Sequence, residues 1–206
     1  MGVLSRPATR GLWRGVGFVT FPNLELRLPA WIDDLCTPDQ VITEQEDRVD
    51  LVLSLARANF ELGNGGPFAS AIFDGSNRLL GVGVNLVVPT SYAFAHAEII
   101  AIGIAGLRSG NFTLVDHEAE MIASTEPCAM CLGAIPWSGV RRLVCSARDE
   151  DAARIGFEEG DKPSDWMAKL DARGIDVVRD FRRERGALVL ADYAGAGGVI
   201  YNGTGR

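Results

Sequence analysis

The chain is short of histidine, with two in 206 residues, and it holds only four cysteines. So few cysteines exclude a disulfide-built fold and point to a reducing compartment, the cytoplasm. Positive charge is also in deficit: 20 Lys and Arg stand against 27 Asp and Glu, a net charge of −7. Binding a phosphate backbone relies on clustered basic residues that release counterions, so the balance argues against nucleic acid and for a small neutral molecule as partner. No uninterrupted apolar run could serve as a signal-peptide core or span a bilayer, although Arg6, Arg10 and Arg14 place positive charge near the start. Gly2 is followed by Arg6 where a myristoylation pattern has Ser or Thr. The expectation is a soluble protein with no membrane attachment.

The length suits one compact domain. Residues 1–40 mix Gly, Pro, Arg and scattered aromatics without a period and read as an N-terminal extension; residues 41–206 read as the domain. Thr43 and Glu46 form a capping-box pattern ahead of a helix whose apolar stripe is Val49, Val52, Leu53, Ala56 and Phe60. Gly63-Asn64-Gly65-Gly66 stops it. Residues 67–74 and 79–88 read as an antiparallel hairpin about the turn Asp74-Gly75-Ser76-Asn77. His96 opens a second helix with Ile99, Ile100, Ile104 and Leu107 as its apolar positions. Strands over 120–124, 141–147 and 175–178 then alternate with helices over 128–137, 149–155 and 164–172, and a final helix covers 183–193. That alternation argues for an α/β fold with parallel pairing of the later strands and helices on both faces, a mixed sheet of about five strands in three α/β/α layers.

Chemistry concentrates in two short motifs. His96-Ala97-Glu98 is followed, 29 residues after Glu98, by Pro127-Cys128-Ala129-Met130-Cys131. One imidazole and two thiolates make three zinc ligands, leaving a fourth position for water, as a catalytic zinc site requires. Two thiolates cancel the formal charge of the ion and weaken it as a Lewis acid, so a nearby base must help. Glu98, two residues beyond His96 and not itself a ligand, is that base. The bland readings are a structural zinc site or a redox Cys pair. A structural zinc needs a fourth protein ligand, and the remaining candidates are poorly suited: Cys145 lies in a strand-like core segment, His117 in the acidic loop Asp116-His117-Glu118, and Cys36 in the extension. Both metal segments open helices, where the helix dipole and free N–H groups favour thiolates.

The pairing H-x-E…P-C-x-x-C is the known signature of zinc deaminases acting on nucleobases. From about residue 45 onward the chain resembles the guanine deaminases of the cytidine-deaminase superfamily. The resemblance rests on Gly65-Gly66-Pro67-Phe68-Ala69, Asn85 in Gly83-Val84-Asn85-Leu86-Val87-Val88-Pro89, Ala95-His96-Ala97-Glu98-Ile99, Thr125–Ile135, Trp137-Ser138-Gly139-Val140 and Ile155-Gly156-Phe157-Glu158-Glu159-Gly160. It implies a cytidine deaminase-like fold, bound Zn2+, and conversion of guanine to xanthine plus ammonia. It further implies Glu159, in preference to Glu158, as a second proton carrier beside Glu98, Asn85 as a residue that hydrogen-bonds the base, and Phe68 beside the pocket. A homodimer is implied too, with an exchanged C-terminal segment in which Ile200-Tyr201-Asn202 closes the partner's site. Pro136 stands where the family often has Tyr. Related readings are deamination of an aminotriazine, cytosine or a nucleoside, then a tRNA adenosine deaminase, and last a zinc-stabilised module without turnover.

Overall fold

Residues 22–203 are described in the computed structural model of the chain. The helices are α1 Ile32–Leu35, α2 Gln45–Glu61, α3 Val87–Thr90, α4 Ala97–Ser109, α5 Ala129–Ser138, α6 Asp149–Arg154, α7 Trp166–Asp171 and α8 Arg183–Gly195. The strands are β1 Ala69–Phe73, β2 Leu79–Val84, β3 Glu120–Thr125, β4 Arg142–Ala147 and β5 Asp176–Val178. They form one sheet in the order β2-β1-β3-β4-β5. β1 runs antiparallel to β2 and β3, whereas β4 is parallel to both β3 and β5. Each parallel step carries helical crossover, α5 between β3 and β4 and α6–α7 between β4 and β5, because parallel neighbours cannot be joined by a tight turn. The mixed five-stranded α/β sheet expected from the alternation is therefore present.

Successive side chains of a strand point to opposite faces, and here both faces are covered. Ile122 of β3 and Val144 of β4 pack with Val49, Val52, Leu53 and Ala56 of α2 and with Val189 of α8. Their neighbours Met121, Leu143 and Cys145 pack with Ala101 and Ala105 of α4, Ile135 of α5, and Trp166 and Leu170 of α7. Each such aliphatic side chain contributes about 1.5–3 kcal/mol when fully removed from water. The central strands are buried along almost their whole length, and each carries an apolar run at its middle, Met121-Ile122-Ala123 and Leu143-Val144-Cys145, with no polar alternation there.

Several local expectations are corrected. The capping box at Thr43 does not form; α2 begins at Gln45 behind Glu44 without a side-chain cap. The buried Arg48 instead binds the carbonyls of Ile42 and Thr43, at 2.9 and 2.7 Å, and so holds that stretch outside the helix. The second hairpin strand ends at Val84 and not at residue 88, because Val87–Thr90 closes a helical turn in which Thr90 Oγ1 donates to Leu86 O at 2.6 Å. Leu107 is 81% exposed and leaves the apolar face of α4 to Ile100, Ala101 and Ala105. Within the region read as an irregular extension, Ile32 and Cys36 are buried in the same core as α2. The hairpin turn forms as expected, and Asp74 Oδ1 holds it by accepting from the N–H groups of Ser76 and Arg78 at 2.9 and 3.0 Å. Arg6, Arg10, Arg14 and Gly2 lie outside the described residues.

Candidate metal centre

His96 and Cys128 are the N-cap residues of α4 and α5, each with an extended backbone, and Cys131 sits one turn into α5. This places all three donors at helix N-termini, where uncancelled N–H groups favour negative charge. Their ligand atoms lie within 4.8 Å of one another. Cys128 Sγ is 3.5 Å from His96 Nδ1. A hydrogen bond from the Cys131 thiol, then one with His96, lowers Cys128 to about 4. The same bond to Cys128, together with burial, raises Cys131. Two thiols and an imidazole so closely placed ionise fully only around a cation, and this donor set fits zinc.

Glu98 extends from the first turn of α4 and is 8% exposed, with Oε2 3.4 Å from Cys131 Sγ. Burial, and then the negative charge of Cys128, raises its carboxyl above the ordinary range. It lies beside the three donors without belonging to them. Glu159 comes from the loop after α6 and faces the same pocket. Burial, then the charges of Cys128 and Glu98, pushes it up to about 8. Glu158 also lines the pocket but is exposed, and its N–H is taken by Asn202 Oδ1 at 2.9 Å.

Asn85, at the end of β2, is fully buried and lines the pocket. Its carbonyl accepts from Asn59 Nδ2 at 2.8 Å, and its side-chain Nδ2 donates to the hydroxyl of Tyr201. A Cβ on Gly65 would stand 2.0 Å from Asn85 O, which accounts for the glycine turn ahead of β1. Phe68, whose carbonyl accepts from Asn85 N–H at 3.0 Å, lines the pocket beside it and stands edge-on to Phe157 with ring centroids 4.9 Å apart, and Phe157 meets Tyr201 at 5.4 Å. The sequence-derived residues His96, Glu98, Cys128, Phe68, Asn85 and Glu159 thus line one pocket, with Cys131 beneath it.

Cys36, Cys145 and His117 lie outside the donor cluster. Cys36 and Cys145 are buried core residues. Of the aromatic residues without an assigned place, Trp166 is core, whereas Trp137 is 82% exposed. Sequence reasoning missed Thr125, whose hydroxyl is buried in the pocket wall without a hydrogen-bond partner among the described residues. It also placed Tyr201 over a partner's site, whereas in the single chain Tyr201 covers the chain's own. Neither residue carries a spacing that sets it apart from ordinary strand or tail residues.

A sheet that delivers one imidazole, two thiols and an unshared buried carboxylate to the mouths of two helices defines a hydrolytic deaminase. Residues 43–147 match the cytidine and deoxycytidylate deaminase zinc-binding region, and the chain belongs to that family. It is 36% identical over 120 residues to a guanine deaminase of Bacillus subtilis, covering 55% of this chain and 74% of that protein. It is 34% identical over 141 residues to a tRNA-specific adenosine deaminase of Buchnera aphidicola, covering 68% and 89%. Among solved structures it is similar to a guanine deaminase from Nitrosomonas europaea, with a TM-score of 0.80, 38% identity and coverage of 86% of this chain and 100% of that one. A structure solved with 2,6-diaminopurine matches at 41% identity and a TM-score of 0.80, covering 87% and 97%.

Proposed function

We propose that the protein binds Zn2+ through His96, Cys128 and Cys131 and converts free guanine and water to xanthine and ammonia. The observation that carries this reading is the buried Glu98 carboxylate, held beside the three donors but outside them. A zinc ion held there supplies an activated water. Glu98 would act as the base that accepts a proton from the attacking water and would return it to the ring nitrogen adjacent to C2. Glu159 would pass a proton to the amino group as the C2–N bond breaks and ammonia leaves, and would take up in exchange the hydroxyl proton released as the C2 carbonyl of xanthine forms. Asn85 can donate and accept at once toward a purine edge, and Phe68 with Phe157 encloses the ring.

The tRNA reading shares the motifs but finds less support. A solved tRNA:A34 deaminase matches at 23% identity and a TM-score of 0.59. The guanine deaminase neighbours match at higher identity, and the acidic balance of this chain disfavours a polyanion. A pocket nearly closed by Phe157 and Tyr201 also suits a free base better than a nucleoside. The test is ammonia release by zinc-loaded protein over guanine, guanosine, cytosine, cytidine, adenine and aminotriazines. Guanine is expected to be the preferred substrate and guanosine inert; no xanthine from guanine refutes the reading.

The proposed setting is the cytoplasm, consistent with four free cysteines, and no helix among the described residues is long and apolar enough to cross a membrane. The proposed assembly is a homodimer. The open groove bounded by Leu132, Pro136 and the exposed Trp137 supports it, and residues 200–202, which lie at this chain's own pocket in the single chain, would in an exchanged dimer take the same place in the partner's.

A further inference from the structure

Lys162 is a lysine whose side chain is only 6% exposed, and it does not line the pocket. Its ammonium lies 2.8 Å from Asp149 Oδ2 and 3.4 Å from Glu126 Oε2, donates to Pro127 O at 3.3 Å, and rests on the Trp166 ring at 4.9 Å. Burying an ammonium is costly unless it is fully partnered, and here every contact is to the turn that leads into Cys128 or to the elements packed behind it. Glu126 in turn accepts from Arg179, so the cluster holds two cations against two carboxylates.

The backbone around Lys162 grips the other side of the same turn. Lys162 N–H donates to Gly160 O at 2.8 Å, and Ala129 N–H donates to Glu159 O at 2.9 Å. Gly160 has φ +71°, and a Cβ there would stand 3.1 Å from Ala129 Cβ. Residues 159–162 therefore clasp Cys128 from both sides: the carbonyl of Glu159 binds the residue after it, and the ammonium of Lys162 binds the residue before it.

We propose that Lys162 is a positioning residue for the deamination reaction: by bracing the 157–162 loop against Glu126-Pro127-Cys128, it fixes the Glu159 carboxyl over the reacting centre. The inference rests on the reading of Glu159 as the second proton carrier. A flexible or displaced loop leaves metal binding intact but takes the carboxyl out of reach of the departing amine. A misplacement of about 1 Å costs up to about 100-fold in rate.

The experiment is a double-mutant cycle on zinc-loaded protein, following kcat and KM on guanine together with zinc per chain. Lys162→Met is expected to lower kcat about 10- to 100-fold with KM little changed and zinc retained. Lys162→Arg, which keeps the charge and donors, recovers most of the loss. In the Glu159→Gln background, Lys162→Met adds less than about two-fold, because the group it positions is already disabled. Asp149→Asn, which loosens Lys162 from a more exposed position, shows the same pattern in weaker form and replaces Lys162→Met should that variant not fold. An unchanged kcat, a fully multiplicative effect on top of Glu159→Gln, or parallel loss of zinc and activity overturns the proposal. An inactive wild type, or a Glu159→Gln variant with wild-type turnover, instead refutes the reading beneath it.

Discussion

Gly83 of β2 lies so close to Ala97 of α4 that a Cβ on the glycine would stand 2.0 Å from Ala97 O. Ala97 sits between His96 and Glu98, so the contact sets the depth at which that imidazole and that carboxyl meet the sheet. Gly83→Ala is expected to destabilise the fold by about 1–3 kcal/mol through overpacking and to lower turnover as well, since the first turn of α4 must move. Denaturant midpoints and initial rates on the same preparations check both.

Under the proposed reaction, substitutions at Glu98 and Cys131 separate catalysis from metal binding although the two side chains lie 3.4 Å apart. Glu98→Gln is expected to retain zinc and lose about 10²- to 10⁴-fold in kcat. Cys131→Ala is expected to lose both, as is the wild type after chelation, with zinc addition restoring only the wild type. Metal analysis beside kinetics distinguishes the two classes.

Asp151 is buried at the start of α6, where Arg183 Nε and Nη2 bind its two oxygens at 3.0 and 3.1 Å and Arg148 N–H adds a third bond at 3.0 Å. The Arg183 bonds come first among the causes that lower its carboxyl to about 2. A folded value below the unfolded value of about 3.9 means stability that is present above pH ~4 and lost as pH falls toward 2. Asp151→Asn is expected to cost on the order of 2 kcal/mol at pH 7 and about half that at pH 3. Urea unfolding at the two pH values measures it; a pH-independent difference refutes the linkage.

An exchanged C-terminal segment makes a complementation prediction. A Glu98→Ala chain keeps a sound tail, and a chain shortened after Gly198 keeps a sound metal centre. Co-refolded, they are expected to regain activity, up to about a quarter of wild type for random pairing in a two-fold dimer. If each tail serves its own chain, the mixture stays inactive.

The clustering of His96, Cys128 and Cys131 with Glu98 beside them was legible because metal chemistry fixes residue type and spacing together. The sheet was legible where burial on both faces makes continuous apolar runs, as in β3 and β4. Helix starts were less so: with Thr43 as N-cap its carbonyl would accept the first bond of the helix, but Arg48 takes that carbonyl together with Ile42 O, and that partner lies in no local pattern. The face of α4 was misjudged at Leu107 because helical period alone does not say which side meets the strand; the glycines of β2 decide it, by letting Ala101 and Ala105 approach. Nothing near Lys162 in the sequence Glu158-Glu159-Gly160-Asp161-Lys162-Pro163 shows that Glu126 and Asp149 converge on it in space.

The family match ends at residue 147, yet Phe157, Glu159 and Tyr201, which complete the pocket, all lie after it. The pocket is thus assembled across that boundary, with Phe68 and Asn85 supplied from within the matched stretch and Phe157, Glu159 and Tyr201 from the last part of the polypeptide. Under the proposed reaction, rewriting that last part to admit a different ring would have to keep a carboxyl at position 159 while reshaping the walls at Phe157 and Tyr201.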